Sequence, residues 1–397
     1  MIILNESQEK VVNAAMYWYN NSSELVFQYT GAAGTGKSVV LNEIISRLGL
    51  SQEEILPMSF TGTAALVMRS KGLYNAKTIH SSIYEVYETT KLDEFGQPVM
   101  DTYFNKPKII TSFRKKENLP GIKLILIDEA SMTPRKMVKD IESFGIKIIA
   151  CGDLNQLPPV GDDPGFLVDG NVFVLDKIMR QAEQSGIVYL ANRAINGLPI
   201  QYGAYNDAYV IDQDQLTSEL LAKADIVLTC RNNTREKFNQ FIRQMFIGEN
   251  PSFPRHGEPL ICRKNNWNIA SNGINLVNGL RGEVANFPDV TSYKDKMFYM
   301  DLLVNGSVLF KDIDCDYEYF KANYEAKNKL RNSPYSVGNK FELAYAITTH
   351  LSQGSQYPSG IFIEEFLNRA IMRNLIYTGI TRFSKTLIYV KQRRKYY

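Results

Sequence analysis

The chain has 397 residues, is 44% hydrophobic and 22% charged, and carries 45 Lys and Arg against 42 Asp and Glu, a formal net charge of +3. That composition excludes a disordered, collagen-like or disulfide-scaffold chain, and the length accommodates about two to three domains with separate cores. So balanced a charge also excludes a globally basic coat, so any nucleic-acid contact has to use a local groove.

In chain order, apolar residues first recur at helical spacing over 6–19 (Val11, Val12, Ala15, Met16, Tyr19), which predicts an opening helix. Residues 25–29 read as a short buried strand, followed by a glycine-rich turn and an apolar-periodic helix from about Lys37 to Leu48, one half of a βαβ unit. Further buried strands are expected at 55–60, 124–127 and 146–151. Strands alternating with helices predict an α/β fold with a parallel sheet covered on both faces. Residues 82–115 break the rhythm: they are polar and aromatic, with Gly96-Gln97-Pro98 as a turn signal, and predict an inserted hairpin or small subdomain. A second α/β pattern starts near 173, with a helix around 187–195, a strand at 226–230 and a helix at 234–246. Over 257–335, strands at 259–263, 281–287 and 297–310, the last with an Asn305-Gly306 hairpin turn, predict a β-rich insertion followed by a charged helical stretch at 317–331. The α/β pattern resumes at Phe341. The expected domains are therefore 1–172 with 82–115 inserted, 173–256 joined to 336–397, and 257–335 as the insertion.

Three segments carry chemistry. Gly31-Ala32-Ala33-Gly34-Thr35-Gly36-Lys37-Ser38 fits G-x-x-x-x-G-K-[ST] and sits between a predicted strand and a predicted helix. Glycines let backbone N–H groups approach phosphate oxygens, and the helix N-terminus favours negative charge. Lys37 is expected at the β/γ-phosphates and Ser38 at Mg²⁺. Next, an apolar strand ends in Asp128-Glu129. Asp128 is placed to hold the metal, partly through water, and Glu129 to orient or activate the attacking water. Solvated acids at a strand end are the plain alternative, set aside because a P-loop precedes them. Third, Gly152-Asp153-Leu154-Asn155-Gln156 follows a predicted strand, and the carboxamide of Gln156 suits sensing of a γ-phosphate.

The order GAAGTGKS, FTGTAA, TIHS, IDEASM, GDLNQLPPV, THLSQGSQ and YTGITR resembles the motifs of superfamily 1 helicases, and most of all those of the 5′→3′ RecD/Dda-like DNA helicases. Matching motifs run from residue 8 to residue 382. The resemblance implies two RecA-like P-loop domains, ATP and Mg²⁺ in the cleft between them and single-stranded DNA across their top. It implies an ATP-dependent helicase moving 5′→3′ on single-stranded DNA and opening duplexes. It further implies that Gln8 reads the adenine edge, that Arg180 meets the γ-phosphate, and that Arg382 is the arginine finger. A guanidinium offered across a cleft stabilises the transferring phosphoryl group only when the cleft is closed. For DNA it implies contacts from Thr61, Gly62 and Thr63, from Thr78 and His80, and from Thr348, Thr349, His350, Ser352 and Gln353. Hydroxyls, amides and backbone N–H groups of this kind suit sequence-independent phosphate contact. Leu351 departs from the pattern, standing where many relatives have a lysine, and puts one phosphate or nucleotide contact in doubt.

By the same resemblance 82–115 is the pin that splits the duplex. Tyr103 and Phe104 are its stacking candidates, with Phe95 behind them; packing of these rings onto their own domain is the open alternative. The 257–335 segment resembles a small SH3-like insertion, in which Trp267 reads best as core. The basic end, Lys391 to Lys395, reads best as a solvated tail. Expected partners are single-stranded DNA, duplex junctions, and proteins of replication or recombination; the compact length suggests a stand-alone, monomeric motor. An ATPase that clamps or remodels nucleic acid without processive unwinding, or an RNA-directed member of the superfamily, is the competing reading. Cys151, Cys230, Cys262 and Cys315 form no C-x-x-C pair, so reduced, buried thiols are expected rather than zinc or disulfides. Neither a signal peptide nor a membrane-length apolar run is read, so a cytoplasmic setting is expected, or host cytoplasm for a phage protein.

Overall fold

The computed structural model describes residues 3–101, 106–107, 109–159, 163–168, 171–179, 184–248, 252–286, 297–331 and 338–392. Arg180, Tyr103, Phe104 and the basic end beyond Gln392 lie outside the described residues. The chain divides into two compact units, Met1–Thr78 with Pro120–Gly248 and Tyr345–Tyr397, and Ile79–Leu119 with Glu249–Ala344.

The first unit holds two α/β sheets. In one, six parallel strands run in the order Val172–Leu175, Val26–Gly31, Lys147–Gly152, Leu124–Asp128, Ile55–Ser59 and Lys77–Thr78. Its central strands are continuous apolar runs because helices cover the sheet: Leu124, Ile125, Leu126 and Ile127 are all buried. The opening helix, Glu6–Asn21, turns Val11, Val12, Ala15 and Trp18 inward, and Lys37–Leu48 adds Val40, Leu41 and Ile44 to the same core. Each fully buried aliphatic of this kind contributes roughly 1.5–3 kcal/mol. The start of the opening helix is set by a capping box, Asn5 Oδ1 accepting from Gln8 N–H and Gln8 Oε1 from Asn5 N–H, both at 3.0 Å. The glycine turn, Asp128 and Asp153 all follow the carboxyl ends of neighbouring parallel strands, so the topology alone gathers the three chemical segments at one sheet edge.

The other sheet runs Gly203–Tyr205, Ala208–Asp212, Phe383–Lys391, Tyr357–Ile363, Val227–Thr229 and Ala346–Thr348. Its pairs are parallel except the antiparallel first. Helices Gly186–Ile195, Asn232–Ile247 and Met372–Ile380 belong to this half.

The second unit contains the hairpin Tyr84–Thr90 with Ile109–Lys115 and a five-stranded antiparallel sheet. The Asn305-Gly306 turn forms as expected, with φ of 48° and 63°, the two left-handed residues a tight hairpin needs. Two readings change here. The stretch 317–331 is two helices, Tyr317–Lys321 and Tyr324–Arg331, because Ala322 is extended and Asn323 Oδ1 accepts from Ala326 N–H to restart the helix. Trp267 is half-buried rather than core: its ring lies 5.2 Å from that of His80 and 5.4 Å from that of Phe113, at the root of the hairpin. These edge and tilted ring contacts explain why the hairpin groups with the β-rich segment rather than with the strands that flank it in sequence.

All four cysteines are free and buried. Among the described residues no helix is long and apolar enough to cross a membrane.

Candidate nucleotide site and strand-contact motifs

A pocket of about 310 Å³ in the first unit is lined by the glycine turn and by residues of both sheets' halves. Gly36 carries φ +84°, and a Cβ there would stand 2.4 Å from Gln8 Nε2 and 2.9 Å from Met179 Sδ, so glycine is required on both counts. Lys37 Nζ donates to Gly31 O at 2.7 Å and Ala32 O at 3.3 Å, and lies 3.8 Å from Asp153 Oδ2. The ammonium is thus folded back on its own loop, held by groups that phosphate oxygens would replace. Gln8 is buried and both ends of its amide are engaged, Oε1 in the capping box and Nε2 on Thr35 O at 3.0 Å. It ties the opening helix to the glycine turn, and an adenine contact would have to exchange one of these bonds.

Glu129 adopts φ 52°, a left-handed conformation costly for a residue with a Cβ, by about 1–3 kcal/mol. The strain turns its carboxylate to where Oε1 lies 3.9 Å from Arg382 Nη1, while Oε2 is buried without a hydrogen-bond partner. Burial raises the Glu129 pKa above the ordinary carboxylate range, with Arg382 opposing that rise. Gln156 also presents a buried, unpartnered Oε1 to the pocket. Two unsatisfied acceptors facing one pocket are the mark of a site whose partner is a ligand or an ordered water.

The residues fit a hydrated divalent cation. The Ser38 hydroxyl and the Asp128 carboxylate both face the pocket, and Ser38 Oγ already accepts from a cation, Lys71 Nζ, at 3.0 Å. One hydroxyl and one carboxylate, completed by phosphate oxygens and water, is the donor set Mg²⁺ takes in such sites.

The second half of the unit closes on this pocket through the helix Met372–Ile380. Tyr377 Oη donates to Asp153 Oδ2 at 2.6 Å and accepts from Ala33 N–H at 2.7 Å. Thr378 Oγ1 accepts from Leu157 N–H at 3.0 Å, Asn374 Nδ2 donates to Asn155 O at 3.0 Å, and Gln353 Nε2 donates to Leu157 O at 2.8 Å. Arg382 is anchored on Thr378 O and Ser355 O, both at 3.2 Å. Tyr377, Thr378, Asn374 and Lys71 were not among the residues singled out from the sequence; only Tyr377 and Thr378 sit inside a motif that could have flagged them.

The strand-contact residues divide. Thr61 Oγ1 caps the helix Gly62–Ser70 by accepting from Ala64 N–H at 3.2 Å, Gly62 is buried and Thr63 half-buried. In the second half, Gly354 (φ +74°) abuts this helix start: a Cβ would come within 2.6 Å of Thr61 Oγ1 and 2.8 Å of Ala64 Cβ. Several side chains expected on DNA are spent inside the fold. Thr349 Oγ1 donates to Thr229 O, Ser352 Oγ to Thr349 O, and Gln353 to Leu157 O, all three being buried. Thr78 and Thr348 are buried as well. Ser352 thereby satisfies a carbonyl of its own turn, while Thr349 and Gln353 satisfy buried carbonyls of the strand Val227–Thr229 and of the 153–157 loop. His350 and His80 are half-buried, with pKa values lowered by burial, and His80 packs its ring on Tyr84, Phe113 and Trp267.

The family model of an AAA domain matches residues 15–162, and that of a UvrD-like helicase C-terminal domain matches residues 343–390. The RecBCD enzyme subunit RecD of Buchnera aphidicola (subsp. Schizaphis graminum) is 23% identical over 90% of this chain and 69% of its own. The ATP-dependent DNA helicase PIF1 of Saccharomyces cerevisiae is 27% identical over 48% of this chain and 23% of its own. An uncharacterized Methanocaldococcus jannaschii protein is 26% identical over 90% of this chain and 36% of its own, so this chain spans well under two thirds of the first curated relatives it matches. The fold is that of the Candida albicans Pif1 helicase crystal structure, with a TM-score of 0.53 at 17% identity over 99% of this chain and 95% of that one. Bacteroides Pif1 bound to ssDNA matches with a TM-score of 0.52 at 18% identity over 98% and 92%.

Proposed function

We propose that the chain is a RecD/Pif1-like superfamily 1B helicase that hydrolyses ATP to move along single-stranded DNA, 5′→3′, and to separate duplexes. The observation that carries the proposal is the convergence on one pocket of Lys37, Ser38, Asp128, Glu129 and Gln156 from one sheet and Arg382 from the other half. ATP hydrolysis needs a phosphate cradle, a water-positioning base and charge stabilisation that completes on closure, and this set supplies each.

In the proposed cycle the triphosphate takes Lys37 Nζ from Gly31 O and Ala32 O. Ser38 and Asp128 would hold Mg²⁺, which would supply positive charge against the phosphates. Glu129 accepts a proton from the attacking water, which Gln156 Oε1 helps orient, and Arg382 stabilises the developing charge; Arg180 joins it in the family pattern. The seam of Tyr377, Thr378, Asn374 and Gln353 on the 153–157 loop gives hydrolysis a route to the second half. Gly354 against Thr61 brings the two strand-contact motifs together, so closure is felt where DNA is held. Strand contact in this reading comes from backbone N–H groups and from the exposed edges of Thr63 and His350 more than from buried hydroxyls. The pin is assigned to the 82–115 hairpin, with Tyr103 and Phe104 as the stacking pair.

The test is ATP hydrolysis with and without single-stranded DNA or RNA, beside strand displacement on duplexes tailed at the 5′ or the 3′ end. DNA-stimulated hydrolysis with displacement only of the 5′-tailed duplex is expected, and Lys37→Ala is expected to abolish hydrolysis in a folded protein. Hydrolysis without displacement on either tail overturns the helicase reading in favour of a clamp or remodeller. Preference for RNA moves the substrate to the other nucleic acid.

A further inference from the structure

The helix Gly62–Ser70 begins at a strand-contact motif and ends at the nucleotide pocket. Thr61 caps its start, and Ala64, Val67 and Lys71 line the pocket. Positions 64, 67 and 71 fall at i, i+3 and i+7, one face of a helix extended by its C-cap residue. Lys71 is an exposed residue at that cap, yet its Nζ reaches across the pocket mouth to the Ser38 hydroxyl at 3.0 Å. Among the described residues no carboxylate lies within ion-pair distance of Lys71, so the Ser38 hydroxyl is where this charge is held. Lys37, the cation the P-loop pattern assigns to phosphate, is meanwhile folded back on Gly31 O and Ala32 O.

We propose that Lys71 is a second phosphate-site cation that stands in for the divalent metal: it holds the Ser38 hydroxyl when no metal is present and anchors the phosphates of a metal-free nucleoside di- or triphosphate. The reasoning is electrostatic. An ammonium and a divalent cation held on the same Ser38 hydroxyl oxygen would repel each other at close range, so the two exclude each other. When the metal arrives, Lys71 leaves Ser38. Without the metal, Lys71 is the positive charge beside the phosphates, and a compact ammonium with three donors suits that task. Lys71 thereby serves the metal-free steps of nucleotide exchange.

The inference rests on the reading of Gly31–Ser38 as the nucleotide cradle, and the experiment separates the two. The full chain, without DNA, is titrated with a fluorescent ADP analogue in saturating Mg²⁺ and again in EDTA. In Lys71→Ala and Lys71→Gln the dissociation constant in EDTA is expected to rise by about tenfold or more, the loss of one charge-assisted hydrogen bond. In Mg²⁺ it is expected to change by less than about threefold, and Lys71→Arg is expected to restore the EDTA value. An equal change in both buffers, or none in either, overturns the proposal; the exposed position of Lys71 keeps the variants folded, which circular dichroism checks. Lys37→Ala is run alongside: retained binding in both buffers would overturn the cradle itself, whatever Lys71 does.

Discussion

Arg382 Nη1 lies 3.9 Å from Glu129 Oε1, the carboxylate being strained into a left-handed backbone and the guanidinium being held by Thr378 O and Ser355 O. The arginine opposes the rise in pKa that burial imposes on the carboxylate. Arg382→Ala should therefore do two things. Turnover should fall by roughly 10³-fold or more, as for loss of an arginine finger. The acid limb of kcat/KM for ATP should also move to higher pH. As the proposed general base Glu129 would act ionised; its pKa is already raised by burial, and removing Arg382 takes away the influence that lowers it. Activity is then lost earlier as pH falls. A pH–rate profile of both proteins checks this; an unshifted limb with reduced turnover would separate the finger from the pKa effect.

Tyr377 joins Asp153 to the Ala33 amide through one hydroxyl. Tyr377→Phe removes that hydroxyl and keeps the ring. A hydrogen bond to a buried carboxylate contributes about 1.5–3 kcal/mol, so the thermal midpoint should drop by several degrees. Arg382 lies just beyond the C-cap of the helix that carries Tyr377, so kcat should fall too. An unchanged midpoint by scanning calorimetry would show that the bond contributes little.

Gly354→Ala meets two obstacles at once, a backbone at φ +74° and a Cβ 2.6 Å from Thr61 Oγ1. The conformational part alone costs about 1–2 kcal/mol, and the clash pushes the two halves apart. DNA-stimulated hydrolysis should fall by about tenfold or more, while nucleotide affinity stays within about threefold. Coupled loss of both would place the defect in the fold rather than in closure.

Gln8→Ala tests whether that amide reads a base. With Oε1 on Asn5 N–H and Nε2 on Thr35 O, its loss should weaken ATP and GTP alike through the glycine turn. Loss of ATP over GTP selectivity, measured by competition, would instead show that the amide turns to the adenine when nucleotide binds.

What was legible in the residues was whatever chemistry a contiguous run can encode. The glycine turn, the Asp128-Glu129 strand end and the Gln156 loop were found by type and spacing, and the parallel sheet brings them to one edge. The opening helix and Lys37–Leu48 were equally plain, since their apolar faces repeat at helical period. Tyr377 and Lys71 escaped because their partners lie far away in sequence: Ala33 and Asp153 for one, Ser38 for the other. Periodicity carries no record of such pairs. The hydroxyls of Thr349 and Ser352 show the opposite limit. A polar side chain in a motif reads as a ligand contact, yet here it satisfies a neighbouring carbonyl. Trp267 misled similarly, since an aromatic in a β-rich run reads as core until the hairpin supplies His80 and Phe113 as its other neighbours.

The four buried thiols have a practical consequence. Burial pushes the pKa of Cys230 and Cys262 up to about 12 and those of Cys151 and Cys315 well above the ordinary thiol value, so almost no thiolate is available at neutral pH and little of it is accessible. Thiol-directed dyes should leave the native chain nearly untouched. A pair of cysteines introduced at exposed positions, one in each half around the pocket, then gives a site-selective donor and acceptor without first stripping the chain of its own. Any opening and closing of the two halves around the pocket would then be visible, molecule by molecule, in a protein otherwise unaltered.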